Sequence, residues 1–154
     1  MDTLRSRHLL TLRLDVAFAA MLNIGITHRG RRRVAPILGG KFEGERLNGT
    51  VLPGGADWVI NRPDGPMVID VRVTLQTEDK ALIYLTYQGV FRAVPEVMQR
   101  FGRGELLDEG EYSLLTTAHF ETGTAAYTWL NDLTVVGVGK QTAAGPIYVL
   151  HEIL

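Results

Sequence analysis

The chain has 154 residues, enough for one domain with a substantial core. Its 16 Lys and Arg nearly cancel its 17 Asp and Glu, which argues against a non-specific nucleic-acid or membrane-surface binder. It has no cysteine, which excludes disulfides, thiolate nucleophiles, cysteine zinc sites and iron–sulfur clusters.

Glycines punctuate short runs of Val, Ile, Leu, Thr and Tyr, the signature of strands joined by tight turns. In the opening segment, Thr11, Arg13 and Asp15 interrupt the apolar run, so it reads as a strand over 8–16 rather than a secretion signal. Residues 17–24 read equally as a loop or a short apolar segment. The basic run Arg29-Gly30-Arg31-Arg32-Arg33 reads as a solvated turn, with a phosphate or carboxylate contact as the sharper alternative. No aromatic residue is interleaved with it, which disfavours a single-stranded nucleic-acid groove. Strands follow at 33–38, 41–52, 56–61, 67–77 and 81–88, broken by Gly39-Gly40, Pro53-Gly54-Gly55, Arg62-Pro63-Asp64-Gly65 and Glu78-Asp79-Lys80.

Pro95 suits a first helical position and Glu96 a first turn. With Val94, Val97, Met98 and Phe101 on one face and Gly102 as a stop, they predict one short helix near 95–102. The last strands are expected at 111–120, 125–131, 133–140 and 147–153. No stretch of 18 apolar residues is present, so neither a transmembrane helix nor a membrane partner is expected, and the expected location is cytoplasmic.

Strand 67–77 alternates strictly: Met67, Ile69, Val71, Val73 and Leu75 point one way, Val68, Asp70, Arg72 and Thr74 the other. An ordinary sandwich puts the apolar set inside. The alternative is a barrel with the polar set in its lumen and an apolar outer face covered by the helix or by a second subunit.

The chain resembles the uncharacterised bacterial and fungal family known as domain of unknown function 3237. The resemblance rests on Gly30-Arg31-Arg32-Arg33-Val34, Pro36-Ile37-Leu38-Gly39-Gly40, Phe42-Glu43-Gly44, Leu47-Asn48-Gly49-Thr50-Val51-Leu52-Pro53-Gly54-Gly55-Ala56-Asp57-Trp58, Phe120-Glu121-Thr122 and Trp129-Leu130-Asn131. It covers most of the chain and implies a calycin-like or allene-oxide-cyclase-like β-barrel that assembles as a homo-oligomer. His28, Glu45, Val73 and Lys80 depart from the family pattern, so no substrate is carried over from a relative. The expected fold is therefore a single all-β domain, 1–154, forming a small antiparallel closed β-barrel.

Asp57 follows a Pro-Gly-Gly turn and precedes a tryptophan; a carboxyl in such a dry site can serve as a general acid or base. The plainer reading is a turn aspartate bonded to backbone amides. Arg72 and Asp70 share a strand face and read equally as a surface ion pair or as site residues, Arg72 binding a substrate oxyanion and Asp70 orienting it or acting as a second acid/base group. Trp58, Tyr87, Glu121, Tyr127, Trp129 and Asn131 are the expected substrate-binding residues; Tyr84 and Tyr87 fall on opposite strand faces, so only one can line a given pocket. The four histidines show no metal-ligand spacing, and no nucleotide or serine-hydrolase motif appears, so neither metal nor cofactor is expected. The implied activity is a cofactor-independent acid/base enzyme (lyase, isomerase or cyclase) acting on a small aromatic or carbonyl-bearing metabolite. The alternative is a non-catalytic carrier or sensor of a small hydrophobic ligand.

Overall fold

A computed structural model describes residues 2–154. The described residues form ten strands and one α-helix: β1 (Ser6–Val16), β2 (Leu22–Thr27), β3 (Gly30–Glu43), β4 (Asn48–Val51), β5 (Gly55–Asn61), β6 (Met67–Thr77), β7 (Leu82–Ala93), α1 (Pro95–Gly102), β8 (Tyr112–Glu121), β9 (Val135–Lys140) and β10 (Ile147–Ile153). All strand pairs are antiparallel, and β1 pairs with both β10 and β3, which closes the sheet on itself. Strands β4 and β5 lie end to end between β3 and β6. The result is a closed eight-position barrel with β2 added as a free edge on β3.

The interior takes the apolar face of every strand. Leu10, Leu12 and Leu14 of β1 and Ile69, Val71 and Val73 of β6 are buried, while Arg13 and Arg72 are exposed. An eight-strand lumen is just wide enough for side chains to fill it. Burying the alternate, charged face there would strand ions in a low-dielectric core. Of the two readings left open by the sequence, the polar-lumen alternative does not hold: the chain is a barrel, but its inside is mainly apolar, with a few polar groups set into it.

Three local readings change for physical reasons. The expected break at Gly39-Gly40 is a bend inside one long β3, where its neighbours switch from β2 and β5 to β1 and β4. Gly40 has φ +152, and a Cβ there would strike the Arg13 carbonyl, so only glycine lets β1 and β3 close at this bend. Residues 22–24 belong to β2, whose Leu22, Ile24 and Ile26 point to solvent rather than to the core. The expected strand at 125–131 is a 3-10 helix, Ala125–Asp132.

The two barrel ends are closed differently. Helix α1 follows β7, with Val97 buried and Phe101 stacked on Phe91 at 4.4 Å. The 3-10 helix lies at the opposite end, after β8, and its Leu130 is completely buried. There the buried Glu152 carboxylate accepts from Arg7 and Arg46, and the Arg46 guanidinium sits 4.2 Å from the Trp129 ring centroid. No helix of the described residues is long and apolar enough to cross a membrane.

Candidate active site

Opposed residues of an antiparallel pair point to the same face of the sheet. Asp57 on β5 lies opposite Ala35 of β3 and Val71 of β6; Val71 in turn lies opposite Tyr87 of β7. Ala35, Val71 and Tyr87 are all buried, so Asp57 belongs to the inner face. It nevertheless keeps partial exposure.

A lapse in the sheet sets its position. Strands β5 and β6 pair at Asp57–Val71 and again at Ile60–Val68, but not between. In the gap the Trp58 carbonyl accepts from Arg32 Nη1 at 2.7 Å. The Asp70 amide donates instead to Asp57 Oδ1, at 2.9 Å. The carboxylate thus serves as a ladder acceptor where the backbone one has turned away.

Burial raises the Asp57 carboxyl, against the Asp70 amide bond and the Arg33 charge that lower it, and the balance leaves it at about 7. A carboxyl that titrates near neutrality can both take and return a proton under working conditions.

Two phenols share this interior. Tyr87 and Tyr148 have ring centroids 4.8 Å apart at an interplanar angle of 58°. Burial, and the negative field of Asp57, hold both phenols above their usual range, so they stay protonated as donors. The Tyr87 hydroxyl is buried, and its polar neighbour is the Tyr148 hydroxyl, to which it makes no hydrogen bond of standard geometry. Room for Tyr148 comes from Gly139 on β9, where a Cβ would lie 2.6 Å from the Tyr148 ring. Thr116 on β8 lies between Gly89 and Gly137 on its neighbours, and its hydroxyl is also buried without a partner.

Arg33 on β3 lies opposite Val59, two residues along from Ala35. Its Nη2 donates to Asn61 Oδ1 at 2.7 Å, and the Met21 and Met67 sulfurs lie 3.8 and 3.7 Å from its terminal nitrogens. Its Nε is buried with no acceptor. Burial and the neighbouring Arg31 lower its pKa, with Asp57 opposing them.

Of the residues expected from sequence, the structure brings Asp57 and Tyr87 together inside the barrel. Arg72 and Asp70 are corrections: both face outward, because β6 turns its apolar face inward. The Arg72 guanidinium lies 5.8 Å from the ring of Trp58, also on the outside, and Gln88 Nε2 approaches Asp70 Oδ1 at 3.4 Å. Asp57 and Arg72 are therefore on opposite sides of the wall and cannot act on one substrate.

Glu121 is exposed at the end of β8. Tyr127, Trp129 and Asn131 do not share a strand face. They sit in the 3-10 helix and tie it down: Tyr127 Oη donates to Asp79 at 2.9 Å, Trp129 Nε1 to the Ala126 carbonyl at 3.1 Å, and Asn131 bridges both backbone groups of Thr122.

Sequence reasoning missed Tyr148, Thr116 and Asn61, and reached Arg33 only as one member of the basic run at 29–33, with a phosphate or carboxylate contact as the sharper alternative. A signal existed for Arg33, which alternates with Ala35 and Ile37 on one face of a strand. Among the described residues, no three His, Cys, Asp or Glu side chains converge as metal ligands.

The model of the family described as "Protein of unknown function (DUF3237)" matches residues 5–153. The chain belongs to this family. UPF0311 protein RPA1785 of Rhodopseudomonas palustris is 32% identical over 99% of this chain and 98% of that protein. The crystal structure of RPA1785 superposes with a TM-score of 0.94 at 30% identity, covering all of both chains. A beta-barrel like protein from Acinetobacter baumannii AYE gives 0.86 at 33% identity, covering 100% of this chain and 98% of that one. A protein described as an enzyme from Penicillium herquei gives 0.74 at 19% identity, covering 100% and 97%, which shows a shared fold.

Proposed function

We propose that this barrel is an acid/base enzyme acting on a small carbonyl-bearing or aromatic metabolite bound against Asp57, Tyr87 and Tyr148. The observation that carries the reading is the Asp57 carboxyl, held at about 7 in the same interior as the two protonated phenols of Tyr87 and Tyr148. Asp57, ionised, takes a proton from an acidic C–H or O–H of the substrate. Tyr87 donates a hydrogen bond to the oxygen on which negative charge develops, which stabilises the transition state more than the ground state. The protonated Asp57 then returns its proton at another atom, completing an isomerisation, a cyclisation or a lyase-type cleavage. The enzyme from Penicillium herquei shows that the same fold accommodates an enzyme.

The test is an untargeted mass-spectrometric comparison of a cell extract incubated with the native protein, Asp57→Asn and Arg72→Ala. The expected result is one metabolite consumed and one formed by the native protein and by Arg72→Ala, but not by Asp57→Asn. The mass difference between the two names the reaction class. Turnover by all three proteins would remove Asp57 from the chemistry. Co-purification of one unchanged compound with native and Asp57→Asn protein alike, without turnover, would favour a carrier, which the largely apolar wall of Leu12, Leu14, Val71 and Val73 would suit.

A further inference from the structure

Resting on that reading of the interior, we propose that the ligand is a small organic acid and that Arg33 receives its carboxylate. Arg7, Arg46, Arg62 and Arg100 each meet a carboxylate partner. Arg33, on the inner face, meets none among the described residues. Its neighbours are one amide oxygen, held by Asn61, and two thioethers. A guanidinium set against sulfur and an amide has no ion-pair partner, only the through-space field of Asp57, and its Nε–H is buried without an acceptor. Nε and Nη2 form the side edge of the guanidinium, the edge that takes both oxygens of a carboxylate. Asn61 Oδ1 and the Met67 sulfur both lie on Nη2, so a carboxylate on that edge would displace the weaker acceptor, the Met67 sulfur, while Asn61 holds the guanidinium in place.

The surroundings narrow the ligand. Exposed Arg31 adds positive charge on the same strand face but makes no second fork, which suits a single carboxylate better than a phosphate dianion. Same-face neighbours along a strand are spaced by about 7 Å. Arg33 is one such step from Ala35, which lies opposite Asp57. A carboxylate on Arg33 therefore leaves the ligand's reacting carbon, a few bonds away, beside the Asp57 carboxyl. A flat or aromatic body on that carboxylate would meet the sulfurs of Met21 and Met67, and would reach the fully buried rings of Tyr87 and Tyr148 by displacing interior side chains. Unbranched methionines over the guanidinium can swing aside to admit it.

The probes are benzoate, phenylpyruvate and pyruvate, with benzamide as the uncharged match for benzoate. They are titrated into native protein, Arg33→Lys, Arg33→Met and Arg72→Met by calorimetry, with circular dichroism confirming that each variant is folded. At least one acid should bind native protein, and benzoate at least about tenfold tighter than benzamide. Arg33→Met should lose about tenfold or more of the acid affinity and leave benzamide unchanged, Arg33→Lys should fall between, and Arg72→Met should match the native protein. If Arg33→Met fails to fold, the arginine Nε–H resonance of native protein carries the test: it must shift on adding the acid and not on adding benzamide. Binding of none of the three acids at about 10 mM, equal binding of benzoate and benzamide, or acid affinity indifferent to Arg33→Met would overturn the proposal. The two readings fail separately. Acid binding that depends on Arg33, without Asp57-dependent turnover, keeps this proposal and removes the enzyme. Turnover that Asp57→Asn abolishes but Arg33→Met leaves with an unchanged KM does the reverse.

Discussion

Replacing Asp57 with asparagine should make the protein more stable at alkaline pH while abolishing turnover. The folded carboxyl titrates at about 7, against an ordinary value of 3.8. Between those values the native state holds a proton that the unfolded chain has released, so rising pH draws the equilibrium toward the unfolded state. The gap corresponds to about 4 kcal/mol once both states are ionised, with about 1 kcal/mol of it already present at about pH 4.5. Asparagine carries no charge and keeps an oxygen to accept the Asp70 amide at the Oδ1 position. Its new NH2 group costs about 1 kcal/mol if it finds no acceptor. Near-parity is therefore expected at about pH 4.5, and an advantage of about 3 kcal/mol for Asp57→Asn at about pH 8.5. Urea unfolding of both proteins at both pH values reads this difference directly, and a melting shift of about 6–12 °C should accompany it. Every other titrating group is common to the two proteins and subtracts out. A difference that stays constant between the two pH values would mean that the carboxyl is not in a dry site, and the acid/base reading would lose its basis.

Tyr87→Phe removes a buried hydroxyl that makes no hydrogen bond of standard geometry, so stability should be unchanged or rise by up to about 1 kcal/mol, while turnover falls. Parallel melting curves and extract assays check both halves, and a destabilised but fully active variant would contradict them. Gly139→Ala places a Cβ 2.6 Å from both the Tyr148 ring and the Leu114 side chain, and should cost about 1–3 kcal/mol. The near-ultraviolet tyrosine signal should change with it, since Tyr148 must move. For Glu152→Gln the sign of the pH dependence is opposite to that of Asp57. Burial raises the Glu152 carboxyl, but the bonds from Arg7 and Arg46 outweigh it and hold the pKa below the ordinary range. The native protein should then be more stable than Glu152→Gln by about 1 kcal/mol at neutral pH, an advantage that disappears as acid protonates the folded carboxyl.

The strand pattern was legible because its period is two; which face turned inward was decided by closure. Met67, Ile69, Val71, Val73 and Leu75 read as one face from sequence, but nothing in β6 alone says that this face fills a lumen. Once β1 meets β3 the sheet has no second layer, and the only dry volume large enough for those side chains is the interior. Arg72 and Asp70 leave the site for that reason. The segment around Trp129 misled for a different one: Tyr127, Trp129 and Asn131 alternate like a strand, yet Trp129 Nε1 bonds to the Ala126 carbonyl three residues back. Tyr87 could be assigned to a face by period alone. The same period puts Arg33 on the face of Ala35 and Ile37, but an arginine in a basic run still looks like solvent-facing charge until β5 and β6 are placed around it.

Asp57 was legible only as a candidate, since a carboxylate that accepts a backbone amide is also the mark of a turn residue; here it lies inside β5 and accepts a cross-strand amide from β6, so the backbone bond is present but the turn is not. What separates the two is cost. Asparagine would accept the same amide without burying a charge, phenylalanine would fill the Tyr87 site without a buried hydroxyl, and methionine would fill the Arg33 site without an unpaired guanidinium. Each native side chain carries a polar group that the fold does not need and that burial penalises. All three belong to the inner face, and Asp57 electrostatically perturbs both Tyr87 and Arg33. One unsatisfied group is an ordinary packing compromise; a base, a neutral donor and a cation in an otherwise apolar lumen form the set that the proposed ligand would satisfy together.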